Sequence, residues 1–180
     1  MGRSGNPTVV PGARLKRLAL SIDGLAEKDE GVLRLSHDIG ELRRAAATEL
    51  YTICRDFAAS VNRLLAKAEL ALDPEQFSDA AFQEDAINLI QLSVRGRILQ
   101  VAFTATPELI STEDFRVPYT LTGSVRAFNR ELLEKEIVKE QLLFYTLEKA
   151  KKTWRFFDPR TYRSGIFDQE YLVSVMEQLI

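Results

Sequence analysis

The apolar residues Leu35, Ile39, Leu42, Ala46, Leu50, Ile53, Phe57, Val61, Leu64, Ala68 and Leu72 follow one another at steps of four, three and four. Eleven residues to the repeat lies close to the natural period of an α-helix, so the stripe stays on one face without a left-handed supercoil. The spacing predicts one long helix over about residues 36–72. Ser36 or Asp38 is its N-cap, Glu41 completes a capping box with Asp38, and Asp73-Pro74 is its stop. Such a stripe must be covered by something, and the second half of the chain supplies a candidate sheet.

Before this helix, Leu15, Leu18, Ile22 and Leu25 recur at 3-4-3 spacing, which predicts a short amphipathic helix. Glu27-Lys28-Asp29-Glu30-Gly31 is expected to end it as a charged turn. Residues 1–12, with Gly2, Gly5, Pro7, Pro11 and Gly12, are expected to be a flexible tail. The remainder, 13–180, is expected to be one domain.

From residue 88 onward the period changes from helical to alternating. Asn88, Ile90, Leu92 and Val94 oppose Leu89, Gln91 and Ser93, and Arg95-Gly96 follows as a tight turn into a second strand, 97–106. A third strand carries Val117, Tyr119, Leu121, Val125 and Ala127 on one face, with a bulge or bend expected at Gly123. Residues 129–152 favour helix on propensity. Yet a helix through Leu142-Leu143-Phe144-Tyr145-Thr146-Leu147 would carry bulky apolar groups on every side, so a hairpin turning at Lys149–Lys152 is expected, with 129–135 as its approach. Asp168 is placed to cap a closing helix whose stripe is Tyr171, Leu172, Val175, Met176 and Leu179. The summed expectation is an α+β fold. A long N-terminal helix, with a short one before it, packs on an antiparallel meander of about five strands, and a C-terminal helix closes it.

Chemistry is sparsely encoded. His37 is the single histidine and Cys54 the single cysteine. On one unbroken helix they stand roughly 25 Å apart, too far for a dyad. No Gly-rich phosphate loop, G-x-S-x-G or H-E-x-x-H occurs, and Cys54 alone permits neither an internal disulfide nor a cysteine-rich metal site. No catalytic residue, metal or cofactor is expected. The acidic run Asp73, Glu75, Asp79, Glu84, Asp85 lacks calcium-loop spacing and reads as a solvated connector. Net charge is −2, so any polyanion would need a local patch. No run of apolar residues is long enough to span a bilayer, no secretory leader is evident, and the expected location is cytoplasmic.

Two interaction surfaces stand out. A helix of about 37 residues would extend some 55 Å, beyond the ~20 Å of a typical strand. Part of its stripe is therefore expected to meet another protein or, more simply, a second copy. The candidate contact residues are Leu35, Ile39, Leu42, Leu50, Ile53, Phe57, Val61 and Leu64. The alternative surface is the basic-aromatic segment 149–163, with Lys149, Lys151, Lys152, Arg155, Phe157, Arg160 and Arg163, where charge could track phosphates and rings stack on single-stranded bases. If Trp154 and Phe156 turn inward, Phe157 is the aromatic expected to be exposed. A small-ligand site, or an enzyme using carboxylates between sheet and helix, is the third reading.

Overall fold

The computed structural model describes residues 11–110, 118–129, 139–148 and 151–180, without side chains at 32–36 and 108–110. The chain divides into two units, Met1–Ile39 and Gly40–Ile180. Helix α1, Gly12–Asn62, has residues in both. There is no charged turn at 27–31: Gly24 and Gly31 lie within helix, and the short preceding helix is simply the first part of α1.

The second unit holds the sheet. Its strands are β1 (Ala71–Asp73), β2 (Asn88–Val94), β3 (Arg97–Ile110), β4 (Tyr119–Asn129), β5 (Lys139–Glu148), β6 (Lys151–Asp158) and β7 (Arg163–Ile166), followed by helix α2, Gln169–Leu179. Every strand pairs antiparallel with its sequence neighbour, in the order β1 to β7. The fold is thus the expected α+β, with seven strands among the described residues rather than about five. The two additional strands are short. β1 takes up Leu72, which sequence assigned to the helix, and β7 follows the hairpin as a short edge strand.

The long helix also stops earlier than its stripe. Asn62 Oδ1 accepts from Leu70 N (2.7 Å) and its Nδ2 donates to Leu70 O (2.9 Å), a reciprocal clamp that closes the turn after the helix. Leu70 is thereby placed in the core. The stop is a tertiary override of good local helix propensity at 63–69. Between β1 and β2, Ser78 precedes a 3-10 turn at Asp79–Ala81.

The β2–β3 turn is as expected: Arg95 and Gly96 have φ of 46° and 79°, the two positive values of a type I′ hairpin. The 142–157 region is a hairpin, with Leu142 opposite Phe157 and Glu148 opposite Lys151. Of its expected approach, 130–135 lies outside the described residues. Gly123 is not a bulge. It pairs in register with Phe103 and Leu143, and a Cβ there would stand 2.0 Å from the Ala102 carbonyl oxygen, so glycine is required by close backbone approach.

One face of the sheet carries Ile90, Leu92, Leu99, Val101, Phe103, Leu121, Leu143, Tyr145 and Trp154. Against it lie Ala46, Ala47, Leu50, Tyr51, Cys54, Phe57 and Ala58 of α1, and Tyr171, Leu172, Val175, Met176 and Leu179 of α2. Small residues on α1 let that helix sit close to the sheet. Trp154 lies fully buried among them and donates its indole N–H to Ala46 O at 2.8 Å. Asp168 caps α2 by accepting from Tyr171 N (2.9 Å), as the sequence indicated.

The β3–β4 ladder is interrupted between Ala105/Leu121 and Ile110/Tyr119. Buried Arg43 of α1 fills that break. Its guanidinium donates to Thr120 Oγ1 (2.8 Å), to the Thr106 carbonyl and to Glu84. Thr48 Oγ1 donates to Asp79 (2.6 Å). Two residues of the acidic run therefore tie the connector to α1, where sequence suggested solvation alone.

Candidate functional site

The residues expected to form the assembly stripe are not one surface. Leu50 and Phe57 are buried in the chain's own core, and Leu42, Ile53 and Val61 pack partly buried against it. Ile39 is half-buried; the side chain of Leu35 lies outside the described residues; Leu64 falls beyond the helix end and is exposed. The surplus of apolar stripe lies at the other end of α1. Residues 11–31 are all exposed, and Leu15, Leu18, Ile22 and Leu25 are 53%, 57%, 56% and 61% accessible. Sequence found this 3-4-3 pattern but assigned it to a short helix of its own.

The basic-aromatic segment is divided among three places. Lys149 lies outside the described residues, and Lys151 and Lys152 are exposed at the start of β6. Arg155 and Phe157 face away from the main core. Phe157 is buried, however, in a second small cluster with Tyr119 and Phe144, its ring edge-on to Tyr162 at 6.2 Å. That corrects the expectation of an exposed Phe157: the aromatic left accessible is Tyr162, at 75%. Arg160 and Arg163 belong to a third place, a cavity.

This cavity, of about 640 Å³, opens where α2 crosses the ends of β4 to β7. Its polar lining starts from strand register. Asp158 pairs with Arg163 across β6–β7, and Gln141 lies one step beyond the Leu142–Phe157 pair, which brings it beside Asp158. Tyr171 Oη donates to Gln141 Oε1 (2.6 Å), and Gln141 Nε2 donates to Asp158 Oδ2 (3.3 Å). Arg160 N donates to Asp158 Oδ1 at 2.9 Å.

The direction of this relay follows from protonation. Burial, then the Asp158 charge, raises the Tyr171 phenol far above its ordinary value, so it remains a donor. Burial works against an ionised Asp158, but hydrogen bonds from the Arg160 N–H, Gln141 and Thr161 outweigh it and hold the carboxyl below its usual range. Gln141 is thus fixed with its amide nitrogen toward the carboxylate. The rings of Phe156 and Tyr171 stack at 4.3 Å, and Gly165, opposite Phe156 in register, leaves room for that ring over β7.

Three cations line the same cavity: Lys139, Arg160 and Arg163. Lys139 donates to Gln178 Oε1 at 2.9 Å. Its pKa is lowered by burial and by both arginines, with Asp158 opposing them. Sequence reasoning used Tyr171 only as packing. The determining feature is hairpin register: pairing Glu148 with Lys151 carries on to set Gln141 opposite Asp158, whereas the expected turn over Lys149–Lys152 would set Gln141 opposite Arg160.

Elsewhere, Cys54 is buried and its thiol is pushed up to about 12 by desolvation, which leaves it a core residue rather than a nucleophile. Among the described residues, no group of three or more His, Cys, Asp or Glu could hold a metal ion. No helix among them is long and apolar enough to cross a membrane. Comparison of the chain with protein-family models, with curated proteins and with solved structures yields no match.

Proposed function

We propose that this chain is a non-catalytic, cytoplasmic assembly module that pairs with a second copy of itself through residues 15–25 of α1. The observation that carries this reading is the exposed row Leu15, Leu18, Ile22 and Leu25. Their 3-4-3 spacing places them at alternating a and d positions of two heptads, the pattern of a helix seam.

A helix segment exposed all round is stabilised poorly by itself. Here the interior glycines Gly24 and Gly31 each cost about 1 kcal/mol relative to alanine. Arg14, Lys16 and Arg17 stand near the positive end of the helix dipole, with no acid in the first turn, which is unfavourable by about 0.3–1 kcal/mol per charge. Both costs are offset when the stripe is covered and the cations find acids.

The charges favour a copy of the same segment as the partner. Residues 12–22 carry Arg14, Lys16 and Arg17 and no acid, whereas 23–30 carry Asp23, Glu27, Asp29 and Glu30 with Lys28. In an antiparallel pair the basic half of each copy lies beside the acidic half of the other, a self-complementary two-fold contact. A parallel pair would set like charges together.

Sedimentation equilibrium of the full chain at high micromolar concentration tests the proposal. The expected result is a dimer for wild type and a monomer for the Leu18→Glu, Ile22→Glu double variant. Arg14→Glu with Arg17→Glu should weaken self-association, and mixing that variant with Asp23→Lys, Glu27→Lys should restore it. A monomeric wild type, or a dimer untouched by Leu18→Glu and Ile22→Glu, overturns the reading.

A further inference from the structure

The cavity beneath α2 has a charge pattern that the fold does not need for itself. Of its three lining carboxylates, Asp158 is held by the Arg160 N–H and Gln141, Asp168 caps α2, and Glu170 stands in the first turn of α2. Lys139, Arg160 and Arg163 have no carboxylate within ion-pair distance among the described residues. Arg43 shows the contrasting case, a buried guanidinium fully engaged by Thr120, Glu84 and the Thr106 carbonyl. Three cations, none of them in an ion pair among the described residues, are brought to one concave site by three separate pieces of chain (β5, the β6–β7 turn and β7), where a single anion can join them.

Guanidinium forks match the paired oxygens of a carboxylate or phosphate, and a lysine adds a point charge. Part of the remaining wall is apolar, built from Phe156, Val175 and Leu179, beside the polar Thr161, Ser174 and Gln178. A volume of about 640 Å³ falls within the ~300–1,000 Å³ of small-molecule sites. We propose that this cavity binds a small organic anion, a carboxylate or phosphate monoester whose apolar body lies against Phe156, Val175 and Leu179. The headgroup sits among Lys139, Arg160 and Arg163. The Tyr171–Gln141–Asp158 relay holds the cavity's buried polar wall in one arrangement, so the site is formed before the ligand arrives. This proposal is independent of self-assembly, since every residue in it belongs to Gly40–Ile180.

Titration calorimetry on the full chain, with benzoate, phenyl phosphate, inorganic phosphate and benzyl alcohol as probes, tests it. Benzoate or phenyl phosphate should bind at least about tenfold more tightly than either inorganic phosphate or benzyl alcohol. Whichever of the two binds more tightly identifies the headgroup as carboxylate or phosphate. Arg160→Gln with Arg163→Gln, both exposed positions, should weaken that binding at least about tenfold while leaving the urea midpoint unchanged. Lys139→Gln on the neighbouring strand gives an independent reading of the same loss. The proposal is overturned if neither aromatic anion outcompetes benzyl alcohol, or if these variants keep wild-type affinity.

Discussion

Two stretches of α1 carry the same kind of apolar stripe and meet opposite fates. At 46–57, Ala46, Leu50, Cys54 and Phe57 are buried within 3% accessibility in the chain's own core. At 15–25, Leu15, Leu18, Ile22 and Leu25 are all more than half exposed. Periodicity shows that a helix face wants covering and is silent on what covers it. The distinction lies in side-chain size. The covered stretch mixes alanine and cysteine with its large residues, which suits a helix set close on a sheet. The exposed stretch is leucine and isoleucine at every seam position, which suits another helix.

The sharpest way to break this comparison is truncation in each stretch. Leu50→Ala should lower unfolding stability in urea by about 2–5 kcal/mol, through lost burial and a residual cavity. Leu18→Ala, measured at low protein concentration, should stay within about 0.5 kcal/mol of wild type. Equal losses at the two sites would mean that the exposed stripe is covered within the chain after all.

A second set of variants asks whether the covered unit is held by specific contacts, one between strands and one between α1 and the sheet. Gly123→Ala forces a Cβ against the Ala102 carbonyl and should cost about 1–3 kcal/mol or more, by strand separation. Arg43→Met leaves the Thr106 carbonyl without this donor in a buried place and should cost about 1–3 kcal/mol. Both losses belong in urea titrations, and neither should alter self-association.

The buried part of α1 also carries a pH dependence. The Cys54 thiol titrates at about 12 when folded, against the ordinary value of 9.0. Only the unfolded chain can release that proton in between, so the Cys54 contribution to stability is complete below about pH 8.5 and declines from there toward pH 12. Wild type should therefore lose more stability than Cys54→Ala over that interval. A thiol reagent at neutral pH should label Cys54 only as fast as the chain unfolds.

What the sequence disclosed tracks how local the determining physics is. The Arg95-Gly96 turn, the Asp168 cap and the alternation of β2 are set by neighbours in sequence, and each was legible. The 142–157 hairpin was legible because the helix alternative left apolar groups with no covered side. The end of α1 was hidden, because Arg63 to Glu69 is good helix sequence and the stop depends on Asn62 gripping Leu70. The cavity was hidden for the same reason: Lys139, Arg160 and Tyr171 share no spacing, and only strand register and α2 packing bring them together. The basic-aromatic segment looked like one surface because strand alternation alone does not show that the outward face carries its own cluster of Tyr119, Phe144 and Phe157, or that Arg160 and Arg163 line a cavity past the end of β6.

The central claim is that residues 12–31 hold their helix through a second copy. Amide hydrogen exchange followed across protein concentration tests it directly, with residues 46–58 as the internal reference. The account predicts that protection at 12–31 rises with concentration and falls on dilution, while protection at 46–58 stays constant. Protection at 12–31 that is independent of concentration would contradict it.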